Sequence, residues 1–274
     1  MAGFGLIELM IALALGLLVV GAAFVVFRSN QDSFRASEGI HRIQESARVA
    51  FELMSQDIRA AGGSACSVAA IVETSNSQST AFRDTPLTGD AAQLTLVSGE
   101  DSAYRVSSST SSSITLDSAQ VSNATDMFKA GDWLLLCNAR KSFVVQAISV
   151  TSNTISFNAL PGAYNPGNDE HAPPSSVVVA RLRNIRWYVA DNSRGGKSLY
   201  VSRFNGAGEE VTDGVQSVAF SYLQSGGTGY TATPGDWSSV IAVRSDLVFT
   251  GRDVDGKALV RSASNVVNLR SRTL

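Results

Sequence analysis

The sequence predicts an α+β protein in which one long N-terminal α-helix packs against a β-rich globular head. Three observations carry this expectation. An apolar run extends from Phe4 to Phe27 with Glu8 as its one charged residue. Beyond it, apolar residues recur at three-and-four spacing as far as Ile58. After Gly62-Gly63 the chain becomes rich in Ser, Thr, Gly and Val, with short alternating runs.

The apolar run holds twenty-four residues. At about 1.5 Å each they span about 36 Å, more than the roughly 30 Å hydrocarbon core of a bilayer, so the run is long enough to cross a membrane with some tilt. A cleaved secretory signal needs a basic start and a shorter apolar core. Nothing basic precedes this run, and the first basic residue, Arg28, follows it. Glu8 is costly there. A charge at the centre of a membrane helix costs roughly 2.5 to 3.5 kcal/mol on insertion scales, and such residues are functional by default.

From Arg28 the helix is expected to continue without a break. Phe34, Ile40, Ile43, Ala47, Ala50, Phe51, Met54 and Ile58 mark one face, with Gln, Glu, Arg and Ser between them, and that stripe is expected to be buried. Gly62-Gly63 supplies the stop. The helix therefore divides into a membrane-crossing part, 4–27, and an amphipathic part, 28–61, reaching about 87 Å if fully helical. Gly16, Gly21 and Gly39 are its weak points, each about 1 kcal/mol less favourable than Ala.

Residues 62–274 read as the head, one all-β unit or two lobes. Strands are expected near Gln93–Ser98, Ser113–Asp117, Trp133–Cys137, Ser142–Val150, Thr154–Phe157 and Ser176–Leu182. Further strands are expected near Ile185–Ala190, Ser198–Phe204, Val215–Leu223, Val240–Phe249 and Leu259–Leu269. Ser107–Ser113 and Ala163–Ser176 read as exposed loops, the second between two lobes. Asp253-Val254-Asp255-Gly256 lacks the third acid and distal Glu of a calcium loop and reads as a hairpin turn.

Candidate chemistry is sparse. His41 falls on the helix and His171 in a proline-rich loop, neither with neighbours at catalytic or metal-ligand spacing. No phosphate loop or nucleophile elbow is present. The expectation is a non-enzymatic protein with no cofactor and no metal. A formal net charge of −2 with dispersed Lys and Arg argues against strong nonspecific nucleic-acid binding. Arg181 to Arg186 reads as the outward face of a strand.

The segment Gly3-Phe4-Gly5-Leu6-Ile7-Glu8-Leu9-Met10 resembles the processing site of type IV pilins and type II secretion pseudopilins. That resemblance implies that residues 1–3 are a leader remnant, that a prepilin peptidase cuts after Gly3, and that Phe4 is then N-methylated. Glu8 would pair with the freed amine of Phe4 on a neighbouring subunit. The family's leaders carry Lys or Arg before the glycine, whereas Met1-Ala2-Gly3 carries neither.

A second resemblance covers the later half of the head. Arg186-Trp187-Tyr188-Val189, Ser198-Leu199-Tyr200, Glu210-Val211-Thr212-Asp213-Gly214-Val215, Trp237-Ser238-Ser239-Val240-Ile241-Ala242-Val243-Arg244 and Val266-Val267-Asn268-Leu269-Arg270 are similar to PilW-type minor pilins and J-class pseudopilins. It implies a minor pilin held in the bacterial inner membrane with a periplasmic head, then moved into a pilus at or near its tip. Other minor pilins, the major pilin, the prepilin peptidase and a tip adhesin are the implied partners. Type II secretion, a DNA-binding or adhesive subunit, and a tethered periplasmic enzyme are the alternatives.

With a periplasmic head, Cys66 and Cys137 are compatible with one disulfide, closing about 72 residues and stabilising the fold by about 4.4 kcal/mol in the chain-entropy model. Two free or metal-binding thiols are the other reading, without CxxC spacing or clustered His to support it.

Overall fold

A computed structural model describes residues 5–65, 70–138, 140–160, 177–251 and 258–272. Helix α1 spans Leu6–Ala60 without interruption, 55 residues or about 82 Å. It ends as the double glycine predicts. Gly62 takes φ +71°, a left-handed conformation that a side chain would strain. Its N–H donates to the Val97 carbonyl at 2.9 Å, and that of Gly63 to the Ala60 carbonyl at 2.8 Å.

The head follows as β1 (Ile71–Glu73), α2 (Ser77–Asp84), β2 (Leu87–Gly89), β3 (Gln93–Ser109), β4 (Ser113–Leu116), β5 (Trp133–Cys137), β6 (Lys141–Val150) and β7 (Thr154–Phe157). Then come β8 (Val178–Asp191), β9 (Lys197–Arg203), β10 (Gly208–Asp213), β11 (Val215–Gln224), β12 (Tyr230–Thr231), β13 (Val240–Thr250) and β14 (Val260–Asn268). The architecture is the α+β one expected, a long helix with a β-rich head.

Six strands close on themselves. β3 pairs with β4, β4 with β7, β7 with β6, β6 with β5, β5 with β8, and β8 with β3, all antiparallel. Closure leaves this ring without an open edge. Its interior holds Val106, Ile114, Leu116, Phe143, Ile155 and Val179, among others.

The long strands β3 and β8 run on past the barrel and, with β2, β9 and β10, form a sheet whose inner face meets α1. There Leu94, Leu96, Ile185, Trp187 and Leu199 join Ile43, Ala50, Met54 and Ile58 of α1 in the main core. A second sheet, ordered β12-β11-β13-β14, supplies Val215, Phe220, Tyr222, Leu247 and Phe249 to the same core. The two sheets are stitched at one turn. The Phe220 N–H donates to the Ala91 carbonyl and the Tyr222 hydroxyl to the Asp90 carbonyl, both at 2.9 Å. Helix α2 covers a third, smaller cluster with Phe82, above Val97, Leu135, Val144 and Leu182. It is opened by Asn76, whose side chain accepts from the Ser79 N–H.

Several expectations need correction. The apolar stripe on α1 is buried only from Gly39 onward, and Phe34 is 72% exposed, because no part of the described head reaches back over it. The two strands expected at Ser176–Leu182 and Ile185–Ala190 are one, β8; Arg183-Asn184 makes no turn because β3 pairs through it from Asn184 to Leu182. Ser107–Ser113 is an exposed loop only at 110–112. Its ends belong to β3 and β4, whose Val106, Ile114 and Leu116 point inward while hydroxyls take the outside. Helix α2 and strands β1, β2 and β10 carry too little periodicity to be seen in sequence. The loop expected at Ala163–Ser176, His171 within it, and Asp253-Val254-Asp255-Gly256 lie outside the described residues.

Candidate functional site: an exposed apolar helix and its anchorage

Apart from Glu8, Gly16 and Gly21, residues 6–27 are leucine, isoleucine, valine, methionine, alanine and phenylalanine, and the large ones are 56% to 81% exposed. Soluble monomers rarely expose apolar patches beyond a few hundred Å². This length of apolar helix lies far outside that norm, and it is long and apolar enough to cross a membrane.

Glu8 sits in the first turn of α1, where the unpaired N–H groups and the helix dipole favour an acid. Gly5 precedes the helix and provides no side-chain cap. The backbone N–H of Glu8 bonds to the Gly5 carbonyl at 3.0 Å. The side chain is exposed. The nearest cation along the described helix is Arg28, about 30 Å away at 1.5 Å per residue. Gly3 and Phe4, the expected processing residues, lie outside the described residues.

At its other end α1 is held in the head by polar bonds. Asp57, 8% exposed, accepts from Arg183 Nη2 at 2.8 Å and from Trp187 Nε1 at 3.0 Å. Burial pushes the Asp57 carboxyl above its ordinary range, and Arg183, Trp187 and Arg203 pull the other way. Asn265 Nδ2 donates to Ser55 Oγ at 2.9 Å, and Ser271 Oγ to the Ala61 carbonyl at 2.7 Å. Higher up, Gly39 allows the helix to approach the head: a methyl there would lie 3.3 Å from Leu259 Cδ2.

Asp57 and Arg183 escaped the sequence reading. One signal was present, since Asp57 falls three residues after Met54 and next to Ile58, inside the apolar stripe. Arg183 corrects the reading of Arg181 to Arg186 as an outward face: Arg181 and Arg183 share the side of buried Ile185 and Trp187. They lie where β8 passes from the barrel interior to the helix-facing core, and each meets an acid, Glu100 for Arg181 and Asp57 for Arg183.

The remaining predicted residues are scattered. His41 is exposed on α1. Cys137 is fully buried at the end of β5, and Cys66 lies outside the described residues. A groove of about 850 Å³ runs between α1 and the turns at Arg194 and Gly251. Its arginines are paired internally, Arg35 with Asp32, Arg42 with Glu38 and Arg194 with Glu210. Among the described residues no group of three or more His, Cys, Asp or Glu is placed to hold a metal.

No protein-family model, characterised protein or solved structure matches the chain. The class defined by fold and site is therefore an α+β protein whose head carries a long, apolar, exposed N-terminal helix.

Proposed function

We propose that the chain is a non-enzymatic structural subunit of a bacterial type IV pilus, a minor pilin that helps initiate assembly and sits at or near the tip. The supporting observation is the exposed apolar helix with one acid near its start and, among the described residues, no cation beside it. Before assembly the helix would hold the protein in the inner membrane with the head in the periplasm. After cleavage behind Gly3, Glu8 would pair with the Phe4 amine of an adjacent pilin, so that two charges costly in an apolar bundle neutralise each other. Partners on this reading are the other minor pilins, the major pilin and the prepilin peptidase. A Cys66–Cys137 bond would tie the end of α1 to the barrel.

The test is Glu8→Ala in cells that make the assembly machinery. Membrane insertion should be unchanged, since the substitution makes the helix more apolar, while co-purification with other pilins should fall. Equal co-purification of variant and parent would reject the role of Glu8. Neighbouring genes for pili or for type II secretion separate this reading from that of a J-class pseudopilin.

A further inference from the structure

Arg203-Phe204-Asn205-Gly206 turns the chain from β9 into β10, and Asn205 is the one asparagine of the sequence followed by glycine. Phe204 and Asn205 take φ +49° and +56°, and the Gly206 N–H donates to the Arg203 carbonyl at 2.8 Å. Two left-handed central residues closed by that bond make the primed turn that suits a hairpin. Asparagine tolerates this conformation, whereas a bulky residue such as Phe204 is strained in it. Phe204 is 40% exposed, so packing holds it only in part. All four turn residues are exposed, and the Asn205 side-chain amide has no partner among the described residues. Asn192, on the turn between β8 and β9, is the contrast. Its Oδ1 accepts from the Arg194 and Gly196 N–H groups and its Nδ2 donates to Ser198 Oγ.

We propose that Asn205-Gly206 is a deamidation site that reacts in the folded protein through opening of this turn. The Gly206 nitrogen gives its proton to solvent base and attacks Cγ of Asn205, and no Cβ on the glycine hinders the approach. The N–Cγ bond forms, the Cγ–Nδ2 bond breaks, and Nδ2 takes a proton from solvent and leaves as ammonia. Water then opens either carbonyl of the resulting succinimide, giving aspartate or isoaspartate at position 205. The closed turn resists the reaction, because the attacking nitrogen is held by the Arg203 carbonyl. Strain at Phe204 favours release of that one bond, and an exposed hairpin end is among the segments that open most readily. Aspartate suits the left-handed position and adds a negative charge close to Glu209 and Glu210 of β10. Isoaspartate lengthens the backbone inside the turn, whose geometry fixes the β9–β10 register. The reaction needs only water, so this inference stands or falls separately from the pilus reading.

The experiment incubates the detergent-solubilised full-length protein in mildly alkaline buffer and follows aspartate and isoaspartate at each asparagine by peptide mapping and mass spectrometry. Asn205 is expected to convert ahead of Asn192 and of Asn30, which is exposed on α1. Asn205→Gln should remove the product from that peptide. Phe204→Gly should slow conversion by about fivefold or more, the factor equivalent to the left-handed cost that glycine does not bear. In denaturant, where no turn exists, parent and Phe204→Gly should convert at the same rate. Circular dichroism and melting confirm the fold of each variant. The proposal is overturned by an Asn205 that stays intact, by conversion no faster than at Asn30 or Asn192, by a folded Phe204→Gly variant that converts as fast as the parent, or by equal slowing of that variant in denaturant.

Discussion

The indole N–H of Trp187 donates to a carboxylate oxygen of Asp57 at 3.0 Å, joining the last turns of α1 to the middle of β8. The other carboxylate oxygen accepts from Arg183. Through this one side chain the helix that would carry the protein in a membrane is locked to the sheet at the centre of the head. Such a group is costly to bury and more costly to break.

Asp57→Ala should therefore destabilise the head by about 2 to 4 kcal/mol, because the Arg183 charge and the Trp187 N–H lose their partner together. Denaturant unfolding monitored by tryptophan fluorescence measures this directly. The pH dependence has a definite sign. Burial holds the folded pKa of Asp57 above its unfolded value of about 3.9, so its contribution is full below that value and is lost as pH rises through the folded pKa. Wild type should thus lose stability relative to Asp57→Asn across that interval. A gain with rising pH would contradict the assignment.

Gly39→Leu should cost about 1 to 3 kcal/mol, the usual range for overpacking, since even a methyl there meets Leu259 at 3.3 Å. Gly16→Leu and Gly21→Leu should leave head stability unchanged, because no atom lies within 4 Å of the added carbon at either position. Thermal melts of the three variants separate the buried from the free part of one helix.

Mass spectrometry of protein made with an active prepilin peptidase should show residues 1–3 removed and one methyl added at Phe4. An intact N-terminus from a natively led precursor would rule out Gly3 as the cleavage site.

Peptide mapping without reductant should recover Cys66 joined to Cys137. Reduction, or Cys137→Ala, should then lower stability by about 4 kcal/mol in the chain-entropy model. Recovery of two alkylated thiols would exclude the bond.

Local chemistry was sufficient for the elements whose signals are local. The three-and-four spacing and Gly62-Gly63 bound α1 to within two residues of Leu6–Ala60. Trp133–Cys137 and Thr154–Phe157 appear with the expected limits, because alternation and flanking turn residues specify each of them. Glu8 was visible for the same reason, as one charge in an apolar run. Spacing shows which residues share a face, but not how far a neighbouring element reaches along it, so Phe34 and Ile58 look alike in sequence and differ completely in burial. Alternation cannot reveal that β3 closes onto β8, nor that Arg183 finds its acid 126 residues away. Those outcomes depend on contacts between distant segments, where packing and the need to neutralise a buried charge choose among arrangements that local preference leaves equal.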